Sequence, residues 1–239
     1  MITLAAHGSA WLAGNASEPL SLELRHSAFR RVARVEFVRA MPYPSTVVAE
    51  SVDGWLRWLA DRGIDRLWLF KEREVPQTYG IHIAHDEACE LWSRTGIGPI
   101  GQDRSGPQWV RVSGIPITSY EIARPPLDVA RDRLRDAIEG ARAFAAEYQL
   151  TGWRDRFTQA LVGSGGPVHQ DLLPPSYGSE AQALAACAAH AWVFGGMMSW
   201  LDLPAAPSED PRYDPLSDEL YWRIWDAFIA SVNSSIAQP

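Results

Sequence analysis

Hydrophobic and polar residues alternate along much of the first half of the chain, and this pattern predicts β-strands. Leu20, Leu22 and Leu24 are separated by polar residues, a period of two that is typical of a strand with one buried face. The same alternation, or a short apolar run between turn residues, predicts further strands. These span about 32–38, 66–70, 79–83, 97–101, 109–113 and 115–122, and an initial hairpin is predicted at 1–12.

The first half also contains two short segments with helical character. Apolar residues from Val52 to Leu59 follow the spacing i, i+3, i+4, i+7 of one helix face, and Gly63 is placed to end that helix. A second short helix is predicted from about Asp86 to Arg94, since two acidic residues provide the first turn that a helix favours.

After Pro125-Pro126 the hydrophobic period changes from two to about 3.6, which predicts a helical second half. Helices are predicted at about 134–148, 153–161, 180–199 and 217–236. In the last of these, Ser217 is the predicted N-cap, and Leu216 is expected to pack against Tyr221.

Together these patterns predict an α+β fold. Residues 1–125 are expected to form a mixed or antiparallel sheet with one or two helices, and residues 126–239 a bundle of about four helices. The Pro-Pro junction is too short for an independent linker. We therefore expect the helical half to pack directly against the sheet as one globular unit.

The composition is that of a soluble globular protein and argues against binding to nucleic acid. The 239 residues are 46% hydrophobic and carry a net charge of -7, without the basic cluster on which non-specific nucleic-acid binding depends. Cys89 and Cys187 are too few and too far apart to form a disulfide framework, and the first residues lack the pattern of a secretory signal. A cytoplasmic location is therefore predicted.

One uncharged segment is long enough to cross a bilayer, but its composition argues against a membrane span. No charged residue occurs from Ala181 to Leu201. Most of this segment is alanine, which contributes little to insertion, and its polar and glycine residues oppose it. We interpret it as a buried helix and predict no membrane association.

Tryptophan is unusually frequent, with eleven residues distributed over both halves of the chain. Core packing accounts for most of them, because an indole ring buries a large apolar area. Trp58 and Trp222 lie off or at the margin of the main apolar face of their predicted helices, where an indole is suited to contact another protein. We therefore take Trp58 and Trp222 as candidate interaction residues.

The densest group of potential ligand side chains contains His82, His85, Asp86 and Cys89. Imidazole, carboxylate and thiolate groups together bind zinc in many proteins. The group lacks a His-x-x-x-His or Cys-x-x-Cys pair, however, and its acidic residues also fit a helix start that has no further function. The pattern favours helix capping with half-exposed histidines, and neither a metal ion nor another cofactor is predicted.

The loop 163–171 contains Ser, His and Asp, including His169 and Asp171, which are the residue types of nucleophilic acyl transfer. The nucleophile-elbow pattern Gly-x-Ser-x-Gly fails because Val162 takes the first glycine position. A phosphate-binding loop fails as well, since neither Lys-Ser nor Lys-Thr follows the glycines. The glycines therefore favour a flexible loop that ends a helix.

These observations favour a non-catalytic protein that acts by binding a protein partner or by forming a homo-oligomer. The alternative is a small-molecule enzyme, hydrolase-like and in one version metal-dependent, with a pocket between the two halves. In that alternative the candidate catalytic residues are His82, His85, Asp86, His169 and Asp171.

Overall fold

The structure, a computed structural model, describes residues 1–14, 29, 31–41, 43–74, 78–85, 88–100, 106–117, 122–162, 171–195 and 199–236, without the side chains of residues 85 and 88. The chain divides into two compact units. The sheet unit consists of Met1–Ala123, Leu173–Tyr177 and Ser235–Pro239, and the helical unit consists of Arg124–Leu172 and Gly178–Ser234. Domains at 1–125 and 126–239, and direct packing of the two halves, stay predictions.

The sheet unit contains two helices and a six-stranded sheet among its described residues. Its elements are α1 (Ile2–Leu12), β1 (Val32–Arg39), β2 (Thr46–Ala49), α2 (Val52–Ala60), β3 (Trp68–Lys71), β4 (Tyr79–His85), β5 (Ala88–Pro99) and β6 (Gln108–Ile117). The strand order is β2-β1-β6-β5-β4-β3. β1 and β6 run parallel and the other neighbours run antiparallel, so the sheet is mixed.

Helix α2 packs its apolar face on one face of this sheet. It begins after Ser51, whose hydroxyl accepts a backbone N–H at 3.0 Å. The ring of Trp55 stacks on Phe37 of β1 at a centroid distance of 4.5 Å and lies 5.4 Å from the ring of Trp92 of β5. Gly114 of β6 makes room for that indole, because a Cβ at this position would overlap the Trp92 ring. The sequence correctly placed this helix and its buried face.

Helix α1 replaces the hairpin predicted at 1–12, so that prediction is wrong. The segment is rich in alanine, a strong helix former, and its buried residues do not alternate. Gly8 lies inside the helix, where the lack of a side chain leaves room for Leu56 and Leu67. Ser9 fixes the position of α1, since its hydroxyl donates to the carbonyl of Leu67 at 2.9 Å and accepts the N–H of Leu67 at 3.0 Å.

The helix predicted at 86–94 is also wrong, because β5 begins at Ala88. Within β5, Trp92 is paired with Ile81 of β4 on one side and with Gly114 of β6 on the other. Pairing on both sides satisfies the backbone of this segment and buries Trp92, which outweighs the acidic helix-start signal.

Strands β5 and β6 are longer than the sequence indicated. β5 includes most of the predicted strand 97–101, and β6 joins 109–113 to the first part of 115–122. β1, β3 and β4 lie where the sequence predicted strands. The predicted strand at 20–24 falls outside the described residues.

The helical unit packs its helices around a buried tryptophan. Its elements are α3 (Leu127–Glu147), α4 (Thr151–Val162), α5 (Ser179–Ala191), a 3-10 helix (Trp200–Asp202), α6 (Ala205–Ser208) and α7 (Tyr213–Val232). The fully buried ring of Trp200 lies 5.2 Å from the ring of Phe157 and 6.1 Å from the ring of Phe144. A mixed sheet in the N-terminal half and helices in the C-terminal half confirm the α+β class.

The alanine-rich helix α5 ends at Ala191, eight residues before the predicted end at 199. Trp192 has an extended backbone, and the guanidinium of Arg156 in α4 donates to the carbonyls of His190 at 3.3 Å and Trp192 at 2.7 Å. Those bonds satisfy carbonyls at the helix end that have no partner within the helix. Nowhere in the described part of the chain does a helix combine the length and apolarity needed to span a membrane.

Helix α7 begins at Tyr213, so Ser217 is not its N-cap. Ser217 lies one turn inside the helix, and its buried hydroxyl accepts the indole N–H of Trp200 at 2.8 Å. Leu216 also lies within the helix. It therefore cannot be the residue before an N-cap that packs against Tyr221, as the sequence predicted. The hydroxyl satisfies a distant donor, which a local sequence pattern does not reveal.

Candidate interaction surface

The two candidate interaction residues, Trp58 and Trp222, are both half-buried. Trp58 lies on α2, where its ring is 5.8 Å from that of Trp92 and the guanidinium of Arg62 lies 4.5 Å from its centroid. Trp222 lies on α7, with its ring 5.4 Å from that of Tyr221. Neither indole is hidden in the interior, and each retains apolar area that a partner could cover.

Trp222 belongs to a larger group of half-buried rings in the helical unit. The group consists of Trp192, Phe194, Tyr221 and Trp222, which we call the aromatic surface. Trp192 and Phe194 are 5.9 Å apart by centroid distance, Phe194 and Tyr221 are 5.2 Å apart, and the corresponding interplanar angles are 79° and 88°. Edge-to-face contacts of this kind are the favourable geometry for aromatic pairs, so the rings hold one another in place.

Two local features place these rings together. The chain is extended after α5, so Val193 points into the core and its neighbours Trp192 and Phe194 remain partly exposed. Beneath them, the buried rings of Trp225 and Phe228 of α7 lie 6.0 Å and 6.5 Å from the ring of Trp192. The aromatic surface thus rests on a rigid aromatic base.

Acidic side chains flank this surface on α7. Asp218 is exposed and lies one helical turn before Trp222. Arg223 is paired with Glu219 at 2.7 Å and with Asp226 at 2.9 Å. Partial burial lowers the pKa of Arg223, but the hydrogen bonds to these two carboxylates outweigh it and raise the pKa above its ordinary value. Arg223 is therefore a cation already neutralised within its own helix.

The candidate catalytic residue His82 is a buried side chain of β4. It is 2% exposed, burial lowers its pKa, and neither ring nitrogen has a hydrogen-bond partner among the described residues. Cys89 of β5 pairs with Ala84 and so lies on the same sheet face as His82, but no hydrogen bond joins the thiol to the imidazole. The geometry does not supply a thiol–imidazole pair.

The structure does not bring the other candidate catalytic residues together with His82 within the described part of the chain. His85 ends β4 with its side chain outside the described part, and Asp86 and His169 fall outside it altogether. Asp171 is half-buried and belongs to the helical unit, whereas His82 belongs to the sheet unit. No three His, Cys, Asp or Glu side chains cluster as a metal site within the residues that the structure describes. The enzyme alternative stays a prediction.

Cys187 of α5 has no features of a reactive thiol. Its Sγ donates to the carbonyl of Ala160 at 3.4 Å, and burial raises its pKa to about 11. A thiol of this kind is almost entirely protonated at neutral pH, and the thiolate is the reactive form. The thiol of Cys187 therefore serves the packing of α5 on α4.

An ionic cluster near the start of α7 was not foreseen from the sequence. The carboxylate of Asp210 accepts the Tyr148 hydroxyl at 2.7 Å and pairs with Arg212, which also pairs with Glu147 at 2.8 Å. Hydrogen bonds from Arg212 hold the pKa of Asp210 well below its ordinary value, and they lower the pKa of Glu147 as well. The cluster joins the end of α3 to the start of α7. Tyr148 and Asp210 are 62 positions apart, and Glu147 and Arg212 are 65 positions apart. Pairs at such separations give no local sequence signal.

Comparison of the chain with models of protein families, with curated proteins and with solved structures gives no match. The arguments for function therefore come from the chain's own residues.

Proposed function

We propose that the protein acts through protein–protein contact rather than catalysis, and that the aromatic surface makes this contact. The observation that carries the proposal is the group of four half-buried rings supported from below by two buried ones. Tryptophan and tyrosine are the side chains most enriched among residues that dominate binding energy at interfaces.

Energetic considerations support a contact at this place. Each 100 Å² of apolar surface removed from water is worth about 2.5 kcal/mol, and the half-buried rings retain apolar area for a partner to cover. Their mutual contacts also restrict their motion before binding. Little side-chain entropy is then lost on association, which favours affinity.

Trp222 is a stronger interaction candidate than Trp58. The guanidinium of Arg62 lies 4.5 Å from the centroid of the Trp58 ring, so one face of that indole is already covered. Trp222 adds to the continuous group of half-buried rings that forms the aromatic surface. A partner that covers Trp222 therefore gains contacts with Tyr221 and its neighbours as well.

Site-specific photo-cross-linking tests the proposal. We would place p-benzoylphenylalanine at position 222 of the full chain, produce this variant in cells that naturally express the protein, and irradiate them. We expect a covalent adduct of higher mass, formed either with another protein or with a second copy. The matched control carries the same photo-reactive residue in place of Val162, which is 72% exposed at the end of α4. Equal labelling at both positions, or no adduct at 222, would contradict the proposal.

A further inference from the structure

The charges around Trp222 on α7 have one predominant sign, whereas Arg156 lies at the other end of the aromatic surface, where it donates to the carbonyl of Trp192 at 2.7 Å. Asp218, Glu219 and Asp226 lie within about one turn of Trp222 on α7, on either side of it. Arg223 is the only basic residue of this helix, and it is paired with two of those three carboxylates. The exposed carboxylate of Asp218 adds a net negative charge beside the rings.

The residue one helical turn after each candidate tryptophan also differs in charge. Trp58 is followed four residues later by Arg62, whose guanidinium lies over the ring, whereas Trp222 is followed four residues later by Asp226. The local potential is therefore negative at the Trp222 end of the aromatic surface. A negative potential over an electron-rich ring face attracts cations.

From these observations we propose that the aromatic surface binds an arginine-bearing, positively charged segment of a protein partner. This inference rests on the proposed function and specifies the partner. A guanidinium can lie flat on an indole ring while it donates hydrogen bonds to a carboxylate one turn away. Trp222 and Asp218 provide these two groups at neighbouring positions of one helix face.

A second copy of the chain is the less favourable occupant. In a two-fold contact each copy presents the same surface to the other, so two surfaces with the same negatively charged carboxylates would face each other. The whole chain also carries a net charge of -7, which adds long-range repulsion between copies. A basic segment replaces that repulsion with attraction.

Titration of the full ¹⁵N-labelled protein with a blocked Gly-Arg-Gly-Arg-Gly peptide tests the inference at low ionic strength. The readout is the indole N–H resonance of Trp222, assigned with the Trp222→Phe variant. We expect it to shift with the arginine peptide and not with the same peptide carrying citrulline, which has the same shape without the charge. Asp218→Asn should weaken binding about two- to fivefold, as expected for one exposed ion pair.

Asp132→Asn is the matched control, because it removes one exposed carboxylate from another helix of the same unit. It should leave the affinity for the arginine peptide unchanged. Equal shifts with the citrulline peptide, or equal losses in the two variants, would overturn the inference. A cross-linked adduct at position 222 that contains a second copy of the chain would also overturn it, although protein–protein contact as such would stand. Absence of any adduct contradicts the proposed function itself.

Discussion

The hydrogen bonding of Ser217 depends on Trp200, a residue 17 positions earlier in the sequence. Its hydroxyl and the indole N–H of Trp200 are both buried, and the 2.8 Å bond between them lies beneath the start of α7. A buried donor that loses its acceptor is left without either water or protein as a partner. The hydrogen bonding of the buried indole thus depends on a side chain that the sequence pattern indicated as a helix cap.

We expect Ser217→Ala to lower the free energy of unfolding by about 1–3 kcal/mol, because it leaves the Trp200 N–H unsatisfied. Urea denaturation followed by tryptophan fluorescence measures this change. Ser208→Ala is the matched control, since the Ser208 hydroxyl bonds only locally to the carbonyl of Ala205 and is exposed. The control should change the stability by less than about 0.5 kcal/mol. Similar losses in both variants would show that the indole hydrogen bond contributes little.

Single residues also explain why only part of the candidate surface was foreseen. Trp222 was identified because it lies at the margin of an apolar helix face, which is visible as a spacing in the sequence. Trp192 and Phe194 join it only because α5 ends at Ala191, and the sequence indicated a longer helix. The bonds from Arg156 to the last carbonyls form across two helices, so periodicity gives no sign of them.

At the level of whole elements, periodicity succeeded where one element buries one face. Helix α2 and strand β3 show this pattern, and each was placed correctly. It failed where an element is buried on most sides, as α1 is, or where pairing on both sides decides the structure, as in β5. In those segments tertiary contacts override the local preference.

The start of α7 depends on the ionic cluster that joins it to α3. We expect Asp210→Asn to lower the melting temperature at pH 7, because Arg212 and the Tyr148 hydroxyl lose a charged partner. Hydrogen bonds from Arg212 keep the pKa of Asp210 below its unfolded value, which is near 3.9. The stabilising effect is therefore present above that value and is lost as the pH falls through the acid range.

Thermal unfolding of the wild type and of Asp210→Asn between pH 7 and pH 3 measures this effect. The difference in melting temperature should narrow as the pH falls, and it should also narrow in high salt because Arg212 and Glu147 are exposed. Asp155→Asn removes a carboxylate that pairs with the adjacent Arg154 and connects no two helices. A difference that stays constant with pH, or an equal effect of Asp155→Asn, would contradict the assigned role.

On the scale of the whole molecule, the chain returns to the sheet unit twice after it has entered the helical unit. The segments Leu173–Tyr177 and Ser235–Pro239 both belong to the sheet unit. Tyr177 forms a backbone bridge with Ile236, and its hydroxyl donates to the carbonyl of Ala6 in α1 at 3.4 Å. These segments are short and show no periodicity, so the sequence pattern gave no indication of where they lie.

The sheet unit should therefore depend on a residue that lies far beyond its main segment. Tyr177 is 1% exposed, and burial raises its pKa to about 12, so its hydroxyl remains protonated at neutral pH. Replacing a buried aromatic side chain with alanine costs about 3–5 kcal/mol, and we expect Tyr177→Ala to lower the free energy of unfolding by a similar amount. Tyr177→Phe keeps the ring and removes the hydroxyl with its long hydrogen bond to Ala6, so its cost should be well below that of Tyr177→Ala, at about 1.5 kcal/mol. Chemical denaturation of the three full-length proteins compares these values.

A loss of unfolding free energy below about 1 kcal/mol in Tyr177→Ala would contradict this dependence. Removing a buried aromatic side chain from a core costs more than that, so the sheet unit would then be stable without its returning segment.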